Sequence, residues 1–99
     1  MTVEELKALF EKHSDEEYIE WDRVKVRRSA APDVHAFLML EELCPFKGGH
    51  PDMIQGATHD QITLRQEAEE LAAVVTEDQV IELIRCGVRL ENGYLCMFV

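Results

Sequence analysis

Apolar side chains recur at helical intervals over the first dozen residues. Leu6, Leu9 and Phe10 recur at the spacing of one helix face, and the opposite face is charged. Thr2 and Glu5 have the spacing of a capping box, in which each side chain accepts a hydrogen bond from the backbone of the other. The pattern therefore predicts a first helix over residues 3–12.

The pattern then changes from helical spacing to alternation. From Arg23 to Arg27 basic residues and valines alternate, the period of a half-buried strand with its valines inward and its cations outward. We predict a strand over residues 18–28. Because Ile19 and Trp21 are out of phase with the valines, a bulge or a short helical turn is expected near Asp22.

Proline and glycine divide the middle of the chain. Pro32 suits the first turn of a helix, and Pro45 ends the apolar stripe that follows it, so a second helix is predicted between them. Residues 44–57 contain two prolines and three glycines. This composition predicts a loop, and its length is compatible with a binding role. The weak alternation of His59–Leu64 predicts a strand.

The last third contains the strongest local signals. One helix is predicted over residues 67–75, and another begins at the capping residue Thr76 and ends at Gly87. Two alternating apolar segments then flank the pair Asn92-Gly93, which is favoured in a type I′ turn. Residues 88–99 are therefore predicted to form a β-hairpin.

The predicted order of elements is α, β, α, β, α, α, β, β, in which helices and strands do not alternate regularly. This order argues against a doubly wound sheet. It favours an α+β fold with a small antiparallel or mixed sheet, a C-terminal hairpin and helices packed on one face. The length of 99 residues predicts one domain over residues 1–99.

Charge is the main compositional signal, since the net charge is -10. It is uneven: residues 1–22 carry eight acids and two lysines, whereas residues 23–28, here called the basic segment, carry four cations and no acid. Such a field repels nucleic acid and attracts basic partners, although acidity can also serve solubility alone. Apolar runs far shorter than the ~20 residues of a membrane span, and an acidic start, predict a cytoplasmic protein without membrane contact.

Two sets of charged residues are candidates for binding a partner. The first is the basic row Arg23, Lys25 and Arg27, which lies beside aromatic residues as in single-stranded nucleic acid binding. The row is weak against the acidic background, which disfavours nucleic acid, and it could equally protect an edge strand from aggregation. The second set comprises Glu16, Glu17 and Glu20. With Glu4, Glu11 and Asp15, these acids would occupy phosphate-like positions if the protein mimicked DNA.

Metal chemistry is the main alternative to binding. His35, His50, His59 and Asp60 supply nitrogen and oxygen ligands, which would suit a small metal-dependent hydrolase or a metal-binding protein. No recognised ligand spacing accompanies them, and the position of His35 early in a helix predicts a partly exposed side chain. The three cysteines contain no Cys-x-x-Cys pair and are predicted to be buried. The sequence therefore favours a non-enzymatic role with no cofactor. A third hypothesis is a homodimer in which Tyr94–Val99 extends a sheet across a two-fold axis.

Four short stretches of the chain are distinctive, namely residues 28–37, 57–62, 83–89 and 97–99. Together they resemble small bacteriophage- and prophage-encoded proteins that have no known activity, and the resemblance covers the chain from about residue 18 onward. It implies a bacterial cytoplasm and a mobile element, whose accessory proteins often bind host or viral proteins. The leading expectation is therefore an accessory protein that binds a protein partner through an acidic surface.

Overall fold

The fold is α+β, with one four-stranded antiparallel sheet in the order β1-β2-β4-β3. The computed structural model describes residues 1–14, 21–48 and 52–98. Within them the helices are α1 (Val3–Ser14), α2 (Pro32–Leu43), α3 (Ala68–Ala72) and α4 (Glu77–Arg85), and a 3₁₀ turn spans Trp21–Arg23. The strands are β1 (Ile54–Ala57), β2 (Gln61–Glu67), β3 (Val88–Glu91) and β4 (Tyr94–Phe98).

The helices cover one face of the sheet. Ile62, Met97 and Val88 are neighbours across β2, β4 and β3, so their side chains share a face, and all three belong to or pack against the hydrophobic core. α1 packs against α3 and α4 on this side. Cys96 alternates to the opposite face, where it is buried outside that core.

Helix ends follow the sequence signals. Thr76 and Gln79 form the predicted reciprocal capping box at the start of α4. Gly87, with φ of +97°, ends the same helix in the left-handed conformation that glycine adopts without strain. Thr2 and Glu5 also exchange backbone hydrogen bonds with their side chains, of 3.0 and 3.1 Å, before α1. These local predictions are confirmed.

The C-terminal hairpin is also confirmed, but its position in the sheet differs from the expectation. Asn92 and Gly93 have φ of +52° and +83°, which are type I′ values. β4 pairs with β3 on one side and with β2 on the other. The hypothesis that Tyr94–Val99 extends a sheet between two copies is therefore wrong for residues 94–98, because both backbone edges of that strand are already hydrogen-bonded; Val99 lies outside the described residues.

The predicted strand over residues 18–28 is wrong for the described part, residues 21–28. The expected helical turn near Asp22 is confirmed, but irregular chain follows it. Val24 is buried, whereas Val26 is 84% exposed, so the valines do not share an inward face. Residues 18–20 lie outside the described residues.

Three other elements differ from the prediction. β1 lies within residues 44–57, which were predicted to be loop, and all four of its residues are exposed. Without a buried face, this strand has no hydrophobic alternation to reveal it. β2 begins and ends later than His59–Leu64, and α3 is shorter than residues 67–75. None of the described helices is both long and apolar enough to cross a bilayer.

Candidate functional site

A buried histidine fixes the position of the basic segment. His35 lies on the inner face of α2 and is fully buried. The backbone N–H of Arg28 donates to its Nδ1 at 3.0 Å, and its Nε2 lies 2.9 Å from a carboxylate oxygen of Glu82 on α4. One imidazole therefore joins the basic segment, α2 and α4.

These two contacts select one form of the ring. Because a backbone N–H can only donate, Nδ1 of His35 must present its lone pair. Nε2 then carries the proton and donates to Glu82, which is the neutral tautomer with both nitrogens satisfied. The sequence indicated a partly exposed side chain early in a helix. It gave no sign of the partner Glu82, which is distant along the chain.

Trp21 and Arg27 add further contacts that hold the basic segment next to His35. The ring of Trp21 meets that of His35 edge-on, with centroids 5.3 Å apart. The guanidinium of Arg27 lies 4.5 Å from the Trp21 ring centroid. Arg27 also donates to the carbonyls of Val24 and Trp21, at 3.1 and 3.0 Å. This folding back onto earlier residues is incompatible with an extended strand, which explains the failed strand prediction.

The cations of the basic segment thus have different roles. Arg27 stabilises the turn before it, and the guanidinium of Arg28 forms an ion pair with Glu42 on α2. Arg23 and Lys25 instead line a groove with a volume of about 320 Å³ between the basic segment and α4. Of the predicted row, the structure places Arg23 and Lys25 in the wall of this groove and Arg27 in a supporting position.

The groove combines apolar and charged walls. Val24, Val26 and Ile81 supply apolar surface. Arg23, Lys25 and Arg85 contribute positive charge, and Asp78 and Glu82 negative charge. Since Glu82 also accepts the hydrogen bond from His35, part of its charge is already used within the fold. Among the described residues that line the groove, three are cations and two are acids, whereas the protein as a whole has a net charge of -10.

The acids gather on the helices. α1, α3 and α4 together contain eight acids and three cations. α1 contacts both of the other helices, so acids distant in sequence become part of one layer. The exposed members, here called the acidic layer, are Glu4, Glu5, Glu11, Glu69, Glu70, Glu77 and Asp78. The other predicted acids, Glu16, Glu17 and Glu20, lie outside the described residues.

One member of the acidic layer also links two helices. Nε2 of His13, a mostly buried residue on α1, lies 2.8 Å from a carboxylate oxygen of Glu77 at the start of α4. This hydrogen bond, with a smaller effect from the nearby Lys12, holds the pKa of Glu77 below its usual value. Glu77 is thus committed to the helix packing, whereas Glu69 and Glu11 lie on the outer surface.

The residues of the metal hypothesis have different environments. His35 is buried with both ring nitrogens hydrogen-bonded, whereas His59 and Asp60 are exposed beside the turn between β1 and β2. His50 lies outside the described residues. Among the described residues, no group of three or more His, Cys, Asp or Glu side chains is placed to hold an ion. The geometry therefore gives His35 a structural role.

The three thiols are buried, as predicted from the sequence. Burial is the main cause that raises the pKa of Cys44 and Cys96 to about 11 and that of Cys86 to about 12. A thiol with so high a pKa is almost entirely protonated at neutral pH, and the protonated form is a poor nucleophile.

Comparison of the chain with protein-family models, curated proteins and solved structures finds no match in any of the three.

Proposed function

We propose that this protein is a non-enzymatic module that binds a basic surface of a protein partner through its acidic layer. The observation that carries the proposal is the gathering of exposed acids from α1, α3 and α4 into one helical layer. A surface of this kind raises the local concentration of a basic partner and accelerates its association.

The resemblance to phage and prophage proteins suggests the setting. The proposed partner is a host or viral protein in a bacterial cytoplasm, and its binding surface is basic. DNA-binding proteins form one class with such a surface, and mimicry of DNA is a special case of the proposal. Glu4 and Glu11 of the proposed mimic lie on α1. Its other acids, Asp15, Glu16, Glu17 and Glu20, lie outside the described residues.

The test compares two variants with the same change of net charge. Glu11→Lys/Glu69→Lys reverses two exposed acids of the acidic layer. The control, Asp60→Lys/Glu91→Lys, reverses two exposed acids, one in the connection between β1 and β2 and one at the end of β3, and neither belongs to a helix. Each tag-purified protein is used to capture partners from bacterial lysate, and the captured protein is then titrated against all three forms at increasing salt.

We expect wild type and control to capture the same basic protein and the layer variant to lose it. The charge reversal should weaken binding by about tenfold or more, since each removed ion pair at an interface contributes on the order of 1 kcal/mol. Binding should also weaken as salt is raised, because exposed charges are screened. Equal capture by the layer variant, or affinity that does not change with salt, would reject the acidic layer as the binding surface.

A further inference from the structure

We propose that the groove between the basic segment and α4 is a second docking site, which binds an acidic segment of a protein through an apolar anchor residue. The site has the opposite charge preference from the acidic layer, with which it shares Asp78 at its margin. It consists of the apolar residues Val24, Val26 and Ile81 with the cations Arg23, Lys25 and Arg85 around them.

The first argument is the exposure of Val26. Its side chain is 84% exposed, the largest fraction among the exposed large hydrophobic residues of the described chain. Val24, two residues earlier, is buried and belongs to the core. Val24 therefore attaches the segment to the core, whereas Val26 is presented to solvent beside the groove. An apolar side chain of a partner would bury Val26 and the exposed part of Ile81.

The second argument is that tertiary contacts, rather than a regular element, fix the course of the irregular segment. Its fixed points are the buried Val24, the stacked pair Trp21 and Arg27, and the hydrogen bond from the Arg28 N–H to His35. Because the segment is already ordered, binding of a partner carries no entropic cost for ordering it. If the only role of the cations were to protect an edge strand, a strand should be present, and residues 21–28 contain none.

The third argument is charge. Among the described residues, three cations line the groove with two acids, in a protein with a net charge of -10, and Lys25 is the exposed cation next to Val26. An acidic segment is repelled by most of this protein. Attraction at the groove therefore determines both the position and the orientation of the bound segment. The volume of about 320 Å³ lies at the lower end of the range for ligand pockets and suits one or two side chains of an extended peptide.

Single-stranded nucleic acid fits the site less well. Trp21 would have to stack on bases, but one face of its ring is covered by the Arg27 guanidinium and its ring also meets His35. Arg27 is in turn occupied by two carbonyls. An exposed valine has no role against a phosphate backbone. The geometry therefore favours a peptide that combines carboxylates with an apolar residue.

The experiment uses defined peptides and backbone amide NMR of the ¹⁵N-labelled full chain at low salt. The probes are the acetylated and amidated peptides Glu-Glu-Leu-Glu-Glu and Glu-Glu-Ser-Glu-Glu, the basic peptide Lys-Lys-Leu-Lys-Lys, and octathymidylate. The leucine peptide should shift the amides of Lys25, Val26 and Ile81. Replacing leucine with serine should weaken its binding by about tenfold, because the apolar anchor is lost.

Two variants and two controls connect the shifts to the site. Val26→Asp and Lys25→Glu change exposed side chains, so both should fold normally and lose the leucine peptide. Val74→Asp and Lys7→Glu make the same chemical changes at exposed positions elsewhere and should retain it. The proposal is overturned if the leucine peptide causes no localised shifts, if Val26→Asp binds it as wild type does, or if octathymidylate binds the groove more tightly. The basic peptide should instead shift amides of the acidic layer, so failure of the proposed function is seen separately.

Discussion

His35 gives the most demanding test of the site's geometry. In His35→Ala, the N–H of Arg28 loses its acceptor and the carboxylate of Glu82 loses a donor. A hydrogen bond between neutral groups contributes about 1 kcal/mol and one to a charged group about 1.5–3 kcal/mol, before any cavity cost. Because Glu82 is partly exposed and can bind water instead, we expect a loss of about 3 kcal/mol in the free energy of unfolding.

For a domain of this size the loss corresponds to a fall in Tm on the order of 15 °C. Urea unfolding should be followed in parallel by far-UV circular dichroism and by fluorescence of Trp21, the only tryptophan of the chain. Because Trp21 contacts His35, its emission should shift in His35→Ala even before the global transition. A local shift with unchanged circular dichroism would show that the basic segment has loosened while the core remains folded.

The matched control is His59→Ala, which removes an exposed histidine beside the β1–β2 turn. It should change the free energy of unfolding by less than about 0.5 kcal/mol, as is usual for surface substitutions. The reasoning is refuted if His35→Ala costs less than about 1 kcal/mol, or if both variants cost the same.

Three further outcomes follow from burial and hydrogen bonding. The native thiols should react slowly with Ellman's reagent at pH 8 and fully in urea, because burial raises their pKa; rapid native reaction at any of the three would contradict this. The lowered pKa of Glu77 means that its stabilising effect is present above the unfolded pKa of about 4.3 and is lost as pH falls through the folded value. Urea titrations between pH 3 and 6 should therefore show a weaker acid dependence in Glu77→Gln. The side-chain amide of Gln66 is fully buried without a hydrogen-bond partner among the described residues, so Gln66→Met should raise the free energy of unfolding by about 1 kcal/mol. A fall of similar size would show that the amide is satisfied by buried water.

The fold was predictable where local rules and burial agree. The capping pair Thr76 and Gln79, the terminating Gly87 and the turn Asn92-Gly93 act over a few residues, and all are confirmed. β1 was missed because its four exposed residues carry no apolar periodicity. The order of strands was also not readable, since hairpin formation does not determine which edge of the hairpin pairs with another strand.

The site was less predictable because its key contacts are distant along the chain. Alternating cations and valines indicated a strand, but the contacts of Arg27 with Trp21 and of Arg28 with His35 give the segment another shape. Sequence identified Arg23 and Lys25 as candidates without separating them from Arg27, which has a supporting role. That separation depends on the side-chain direction and on the tertiary partner, neither of which the local pattern contains.

The central position of β4 bears on how the sheet assembles. β1 with β2 and β3 with β4 are two local hairpins, and only the pairing of β2 with β4 joins them. Because β2 and β4 are far apart along the chain, their pairing costs more chain entropy than formation of either hairpin. It should therefore limit the folding rate. Until this pairing forms, β2 and β4 each present an unpaired edge to other chains. A newly made or partly unfolded molecule is therefore most vulnerable to misassembly along these two strands, which the native sheet pairs on both sides.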